Sequence, residues 1–163
     1  MKKLTLLLVL ISTIGFAQQK TTTKLGEFNE LKVFNGLTVE LQKSNESKIE
    51  ISGSQSEDVT IKNSGGILKI RLKFPESFTA EDVRIVLFYN ENIDILDANE
   101  GATILAKETI KQQHLEVKTQ EGAKINLAID IKHLTVKSVS GGIIKLTGET
   151  ENQNIEATTG GIY

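Results

Sequence analysis

The sequence predicts an all-β protein, a single-domain parallel β-solenoid (β-helix) with coils of about 19–21 residues. A glycine-centred phrase returns four times, with first glycines separated by 21, 19 and 19 residues, at Gly101, Gly122, Gly141 and Gly160. Apolar residues recur at the same offsets from each glycine, and no stretch has the sustained 3.6-residue apolar period of an amphipathic helix. A repeat of about 20 residues is typical of a solenoid, in which each repeat forms one coil stacked on the last.

Residues 1–17 have the features of a secretory signal peptide. A basic start of two lysines precedes the apolar stretch Leu4–Ile14, and small residues around Ala17 predict cleavage before Gln18. The alternative is a membrane anchor, but the apolar stretch is shorter than the roughly 20 residues that a spanning helix needs. We therefore expect an exported protein, located in the periplasm, on the outer-membrane surface or secreted, with no transmembrane segment after cleavage.

The composition of the remaining chain excludes several classes of function. Removing 17 of the 163 residues leaves 17 basic and 21 acidic side chains, a net charge of −4 that offers no electrostatic footprint for nucleic acid. The chain has no cysteine, so no disulfide stabilises it. It has no tryptophan either, so it offers few of the aromatic platforms that grip sugars or single-stranded nucleic acid.

Residues 18–30 are polar and are predicted to form a flexible lead-in to a β-solenoid domain over residues 31–163. Alternation of apolar and polar residues, bounded by Gly, Asn and Ser, predicts strands at 37–41, 48–51, 59–61 and 68–72. The only proline, Pro75, lies in a predicted loop at 74–82. The nearly continuous apolar run 83–89 is predicted to be a strand covered on both faces.

The offsets from each phrase glycine assign a direction to every column of the repeat. Residues five before and three after the glycine are apolar and point inward, and residues three before it are small. The glycine lies at the bend between two short strands, where a positive φ is favoured. Gly65-Gly66, followed by Leu68 and Ile70, fits the same columns and predicts an earlier coil. The outward column is interpreted as a solvated face rather than a binding stripe, and it contains Asp97, Lys118, Lys137 and Glu156.

An antiparallel sandwich is the alternative architecture. Such a fold needs turn signals every 8 to 12 residues or so, but it does not need the same apolar columns in each unit. Four aligned units therefore favour the solenoid.

Two histidines are the only candidates for a metal site. His114 and His133 are 19 residues apart in one column, so we expect their rings on adjacent coils, within about 5 Å of each other. Such a pair could share a transition metal or act as a pH switch. Ile93 and Asn152 flank them in the column and supply no third ligand. We therefore predict two exposed residues placed by the repeat, and no metal site.

No catalytic or cofactor-binding residue is predicted. Asp94, Asp97 and Asp130 could suggest the carboxylate chemistry of glycan-cleaving solenoid enzymes, but they fall in different columns. The chain has only two arginines, Arg71 and Arg84, and no serine has the Gly-x-Ser-x-Gly context of a nucleophile.

The order of these segments resembles an exported bacterial family. The opening Phe34–Leu41, the strand Val83–Tyr89, the Gly-Ala and Gly-Gly phrases and the closing Gly160–Tyr163 are similar to the family named putative auto-transporter adhesin, head GIN domain. The resemblance covers about residues 28–163. It implies a right-handed parallel β-solenoid, a cell-envelope or secreted location and an adhesion role, with no established catalytic residues and no cofactor.

The sequence thus predicts a non-enzymatic, exported cell-envelope domain that acts as an adhesin-like binding module for a surface protein, a glycan or a lipid. A glycan-active enzyme, or a structural unit that forms an edge-to-edge homo-oligomer, is the alternative. The chain stops three residues after Gly160, in mid-strand. We therefore also expect C-terminal truncation, unless a partner covers a partial last coil.

Overall fold

The computed structural model describes residues 20–73 and 83–163. These residues form twelve strands and one short 3-10 helix, Ser56–Asp58. The strands are β1 Lys20–Lys24, β2 Glu30–Val33, β3 Thr38–Lys43, β4 Lys48–Ser52, β5 Val59–Ser64, β6 Ile67–Leu72, β7 Arg84–Tyr89, β8 Ile95–Ala98, β9 Thr103–Ala106, β10 Ile110–Thr119, β11 Lys124–Ser138 and β12 Ile143–Ala157. The predicted signal peptide at 1–17 and the predicted loop at 74–82 lie outside the described residues.

All these strands join one curled, mixed sheet that forms a half-barrel. The order is β1-β4-β7-β3-β9-β11-β10-β8-β2-β6-β5, and β12 pairs with β11. The prediction of an all-β fold is confirmed, but the prediction of a parallel β-solenoid is wrong. A solenoid needs every strand parallel to its neighbours, whereas β4 pairs antiparallel with β1 and β7, and β5 pairs antiparallel with β6. These antiparallel strands come from residues before the glycine phrases, where the sequence has no period.

The glycine phrases set the register of the parallel strands that follow. β10, β11 and β12 pair in parallel with an offset of 19 residues, so that Val117 faces Val136 and Val136 faces Ile155. The four phrase glycines have φ between 72° and 77°, and the residue before each one also has a positive φ. The corners continue the hydrogen-bond ladder, since the Gly101 amide donates to the Glu121 carbonyl at 2.9 Å.

A fifth corner of the same kind lies at Asn35-Gly36, 65 residues before the first phrase. Both residues have a positive φ, and the Gly36 amide donates to the Glu100 carbonyl at 2.8 Å. The inward offsets of this corner are occupied by Leu31, Val39 and Leu41. The sequence period does not reveal it, because β4 to β7 are inserted between this corner and the next.

The earlier coil predicted at Gly65-Gly66 is a β-hairpin instead. β5 runs antiparallel to β6, and Ser64 pairs with Ile67 across the two-residue turn. Both glycines have a positive φ, as the tight turns that join antiparallel strands require. Leu68 therefore aligns with Leu31, on the strand before a corner rather than after one.

The inward side chains of the strands form one hydrophobic core cluster. In the inward column, Leu31, Val117 and Val136 are fully buried, whereas Ile155 at the β12 end is exposed. Two buried hydroxyl groups lie in the small column and satisfy each other, as buried polar groups must. Thr119 Oγ1 and Ser138 Oγ are 3.1 Å apart, and Ser138 Oγ donates to the Gly142 carbonyl at 2.7 Å.

β1 lies within the segment that the sequence predicts to be a flexible lead-in. Its residues pair antiparallel with β4, and Lys20 Nζ lies 2.8 Å from Glu50 Oε2. Residues 20–24 are therefore an edge strand of the sheet.

Candidate functional site

A row of charged side chains crosses the outer face of the sheet. Side chains alternate between the two faces of a strand, so the residue after each buried column residue points outward. The register of the strands places these outward residues side by side from β5 to β12. This outer charged row consists of Lys62, Lys69, Lys32, Asp97, Lys118, Lys137 and Glu156.

An open groove of about 490 Å³ follows the row over most of its length. Beside the charged groups, it is lined by the side chains two residues further along the strands, which are Phe34, Asn99, Gln120 and Val139. The groove thus combines ammonium, carboxylate and amide groups with two apolar side chains. Such a mixture suits a polar partner that makes hydrogen bonds and ionic contacts.

A buried carboxylate, that of Asp97, lies at the centre of the row. Asp97 and Asn99 are nearly inaccessible to solvent, and Asn99 Nδ2 donates to Asp97 Oδ1 at 3.0 Å. Lys32 Nζ lies 2.9 Å from Glu30 Oε1 and 3.2 Å from Asp97 Oδ2. The hydrogen bond to Glu30, together with the bond to and charge of Asp97, raises the pKa of Lys32 above its ordinary value, against an opposing effect of burial. Lys32 therefore stays charged and is neutralised within the fold.

The next two lysines share one carboxylate. Glu116 Oε2 lies 3.3 Å from Lys118 Nζ, and Glu116 Oε1 lies 3.1 Å from Lys137 Nζ. Directly paired like charges destabilise a sheet, and the bridging carboxylate relieves this repulsion. One positive charge in this group remains without compensation.

The other end of the row is cationic. Lys62 and Lys69 face each other directly across β5 and β6, and Arg71 follows on β6. All three side chains are exposed. Within residues 20–73 and 83–163, none of the three forms a salt bridge of 4.0 Å or less.

The outer charged row is positive on a chain that is negative overall. With Arg71 and the flanking Glu30 and Glu116, it has six cations and four carboxylates, a local charge of +2, whereas the whole chain has a net charge of −2. The sequence column contained only Asp97, Lys118, Lys137 and Glu156, with no net charge. The lysines that change its sign come from β2, β5 and β6, outside the phrases. The signal that could have revealed Lys32 is its place four residues before Gly36, the outward offset of the repeat.

The two histidines lie next to each other, as the register requires. His114 pairs with His133, and their rings stack with centroids 4.9 Å apart and planes inclined by 17°. His133 pairs with Asn152 on its other side. Within residues 20–73 and 83–163, no group of three or more His, Cys, Asp or Glu side chains is placed to hold a metal ion.

The three aspartates considered for carboxylate chemistry engage three different partners. Asp94 accepts a hydrogen bond from Asn29 at 3.3 Å, Asp97 pairs with Lys32, and Asp130 pairs with Lys111 at 3.1 Å. A second open groove, of about 510 Å³, lies beside Asp130 and is bordered by Lys132, Glu149 and Glu151. Its charged groups are exposed, and the fold does not bring the three aspartates together as an acid cluster.

The fold is that of an all-β domain class that includes solved structures of putative bacterial adhesins. The chain belongs to the family described as "Putative auto-transporter adhesin, head GIN domain", whose model matches residues 27–163. The resemblance found in the sequence is thereby confirmed. The family is described by adhesion rather than by an enzymatic activity, and membership indicates an exported or surface protein.

Solved structures share the fold at low sequence identity. A putative adhesin from Bacteroides fragilis is 14% identical, with a TM-score of 0.72 over 88% of this chain and 71% of that one. A putative adhesin from Parabacteroides distasonis is 15% identical, with a TM-score of 0.59 over 88% and 74%. A protein from the same organism, described as a putative lipid binding protein, is 13% identical, with a TM-score of 0.56 over 88% and 74%.

Two further findings are negative. No protein with a curated function matches the chain. Among the described residues, no helix has the length and apolar character needed to span a membrane.

Proposed function

We propose that this protein is a non-enzymatic, adhesin-like binding module of the bacterial cell envelope, and that it binds its partner through the outer charged row and the adjoining groove. The observation that carries this proposal is the groove of about 490 Å³ on an exposed sheet face, lined by charged and amide side chains. Family membership supports the adhesin-like role. A surface protein, a glycan and a lipid are the partner classes compatible with this role.

The position of the groove favours recognition of an extended partner. The row crosses seven strands, and its central strands β2, β8 and β10 pair on both sides. The sheet backbone and the ion-paired side chains of Lys32, Lys118 and Lys137 are ordered before binding, so these groups lose little conformational entropy when a partner docks.

A binding assay on envelope fractions tests the proposed function. The protein starting at Gln18 would be fluorescently labelled and mixed with envelope fractions of the bacterium that produces it and of neighbouring species. We expect saturable binding that the double substitution Lys118→Gln and Lys137→Gln weakens several-fold. The matched control is Lys124→Gln with Lys145→Gln, because these two exposed lysines lie outside the groove and carry the same total charge. Absence of saturable binding, or an equal loss in both variants, would count against the proposal.

We also propose that residues 1–17 are removed on export, leaving Gln18 as the first residue. The basic start, the apolar stretch and the small residues before Gln18 support this processing. Mass spectrometry of the protein recovered from periplasmic and culture fractions should identify an N-terminal peptide that begins at Gln18. Recovery of the uncleaved chain in the inner-membrane fraction would contradict it.

We propose that the stacked rings of His114 and His133 do not bind a metal ion. Two neighbouring rings supply two ligands, and structural zinc sites use four. Equimolar Zn²⁺ should leave the melting temperature unchanged, and His114→Ala should respond as the unaltered protein does. A stabilisation that requires both rings would overturn this assignment.

Self-association through β12 is the second proposal for a partner, because the second half of this strand is exposed, including the inward Ile155. Ile155, Ile162 and Tyr163 are the exposed large hydrophobic residues of the described chain. Edge strands with exposed apolar groups tend to pair with other chains. Sedimentation velocity should detect concentration-dependent association that Ile155→Lys reduces, whereas the exposed polar exchange Asn154→Lys should leave it unchanged. A monomer at all concentrations would exclude this pairing.

A further inference from the structure

We infer that the outer charged row binds an acidic polysaccharide, a polymer of sugars that bear carboxylate or sulfate groups. This inference rests on the proposed function and names the partner class of the same groove. The carboxylate or sulfate groups would contact the lysines, and the sugar hydroxyl groups would contact the amides and carboxylates between them.

The cations at one end of the row, which have no ionic partner among the described residues, supply the first argument. Lys62 and Lys69 are exposed and lie directly opposite each other on neighbouring strands. Like charges in this position destabilise a sheet, and an anion between them would convert the repulsion into two attractive contacts. No carboxylate of the described residues lies within 4.0 Å of either ammonium.

The spacing of the cations supplies the second argument. Neighbouring strands are about 4.8 Å apart, so Lys62 and Lys69 lie one strand apart, and Lys69 and Lys118 lie three strands apart across the neutralised Lys32. The positive groups are therefore distributed along the row and do not converge on one point. A small anion would use one of them, whereas a chain with a charge on successive units would use several at once.

The groups between the cations match sugar hydroxyls. Hydroxyl groups donate and accept hydrogen bonds, and the groove offers an amide at Gln120 and a carboxylate at Glu156, with the Glu116 carboxylate beside it. The face of Phe34, which is half-buried at the groove, provides a small apolar surface against which a sugar ring can pack.

The composition of the face argues against a membrane surface. Binding in the plane of a bilayer uses exposed apolar side chains that enter the lipid. The exposed large hydrophobic residues of the described chain are Ile155, Ile162 and Tyr163, and none of them lines this groove. The two carboxylates of the row and the two that flank it would also repel a continuous layer of anionic headgroups, whereas a flexible polymer can place its charges between them.

Isothermal titration with defined polymers tests the inference. Protein starting at Gln18 would be titrated with polygalacturonate, dextran sulfate, neutral dextran and vesicles of phosphatidylglycerol. We expect binding to one or both acidic polymers, weakening as salt is raised, and no binding to neutral dextran or to vesicles. The double substitution Lys62→Gln and Lys69→Gln should weaken polymer binding by about tenfold, from two lost exposed ionic contacts.

The control variant again carries Lys124→Gln and Lys145→Gln, which removes two exposed lysines outside the groove. Circular dichroism and melting curves would check that both variants are folded. Binding to vesicles alone, no binding to either acidic polymer, or an equal loss in the two variants would overturn the inference. Envelope binding that depends on Lys118 and Lys137, without polymer binding, would retain the proposed function and reject only the acidic polysaccharide.

Discussion

The alternation of buried and exposed side chains along β11 gives a sharp test at single residues. Val136 is fully buried between Val117 and Ile155, whereas the adjacent Lys137 is exposed. Val136→Asp would bury an unpaired charge and should reduce the free energy of unfolding by about 3 kcal/mol or more, measured by chemical denaturation. Lys137→Gln loses one exposed ion pair and should cost less than about 1 kcal/mol. Similar losses in the two variants would show that the register is wrong.

Gly148 provides a second test at the residue scale, because the β11–β12 pairing leaves no room for a side chain there. Its φ is 129°, and a Cβ atom would lie 1.9 Å from the Ile129 carbonyl oxygen. Gly148→Ala should therefore destabilise the protein by about 2 kcal/mol or more in thermal or chemical unfolding. Gly141 has a φ of 75° with open space around it, so Gly141→Ala should cost only about 1 kcal/mol of backbone strain. An equal cost at both positions would contradict the close approach at Gly148.

At the scale of the element, the edge strand β1 depends on the charge of Glu50. The Lys20 and Lys48 ammonium groups lie 2.8 Å and 3.3 Å from this carboxylate. The hydrogen bond from Lys20 is the largest influence, and it lowers the pKa of Glu50 below its ordinary value of 4.5, in spite of some burial. A lowered folded-state pKa means that this stabilisation is present above pH 4.5 and is lost as the pH falls through the folded value.

We therefore expect the stability difference between the unaltered protein and Glu50→Gln to be present at neutral pH and to shrink below pH 4.5. Denaturation midpoints over a pH series would measure it, and hydrogen exchange would report whether β1 detaches. Glu46→Gln is the control, because the Lys24–Glu46 pair is longer, at 3.7 Å, and more exposed. A pH-independent difference for Glu50→Gln would disprove this linkage.

The sequence predicts strands and corners correctly where the repeated residue pattern matches the pairing of strands in the fold. The glycine phrases predict the inward columns and the corners, because each repeat is paired with the next one along the chain. They do not predict β4 or the β5–β6 hairpin, because antiparallel pairing depends on partners that are distant or reversed. Gly65-Gly66 illustrates the ambiguity, since both a corner and a hairpin turn need a positive φ. Whether the turn leads into a hairpin or into a new coil depends on which strands pair with β6, where Leu68 lies next to Leu31 of β2. The local sequence does not specify these partners.

At the scale of the whole molecule, the same long-range pairing explains why the candidate site is only partly predictable. Asp97, Lys118, Lys137 and Glu156 follow from the repeat, and alone they have no net charge. Lys32 and Lys69 join them only because β2 lies between β6 and β8 in the folded sheet. The positive character of the groove is therefore a product of topology rather than of any local motif.

The unequal burial of the strands predicts a gradient of local stability across the molecule. The central strands β2, β8 and β10 pair on both sides and are fully buried at their inward positions, such as Leu31, Leu96 and Val117. β1 is exposed throughout, and β12 is exposed over most of its second half. Strands with few buried apolar contacts open at lower free energy than core strands.

Hydrogen exchange measured by mass spectrometry should therefore show the slowest exchange in β2, β8 and β10 and the fastest in β1 and the second half of β12. Because one hydrophobic cluster spans the sheet, the central strands should lose protection together when denaturant is added. Binding of a partner in the groove should slow exchange in β10 and β11 and leave β1 unchanged. Uniform protection of all strands would show that the edges are stabilised by contacts other than those of the sheet. Slowing confined to β1 would place the partner on the opposite edge of the sheet.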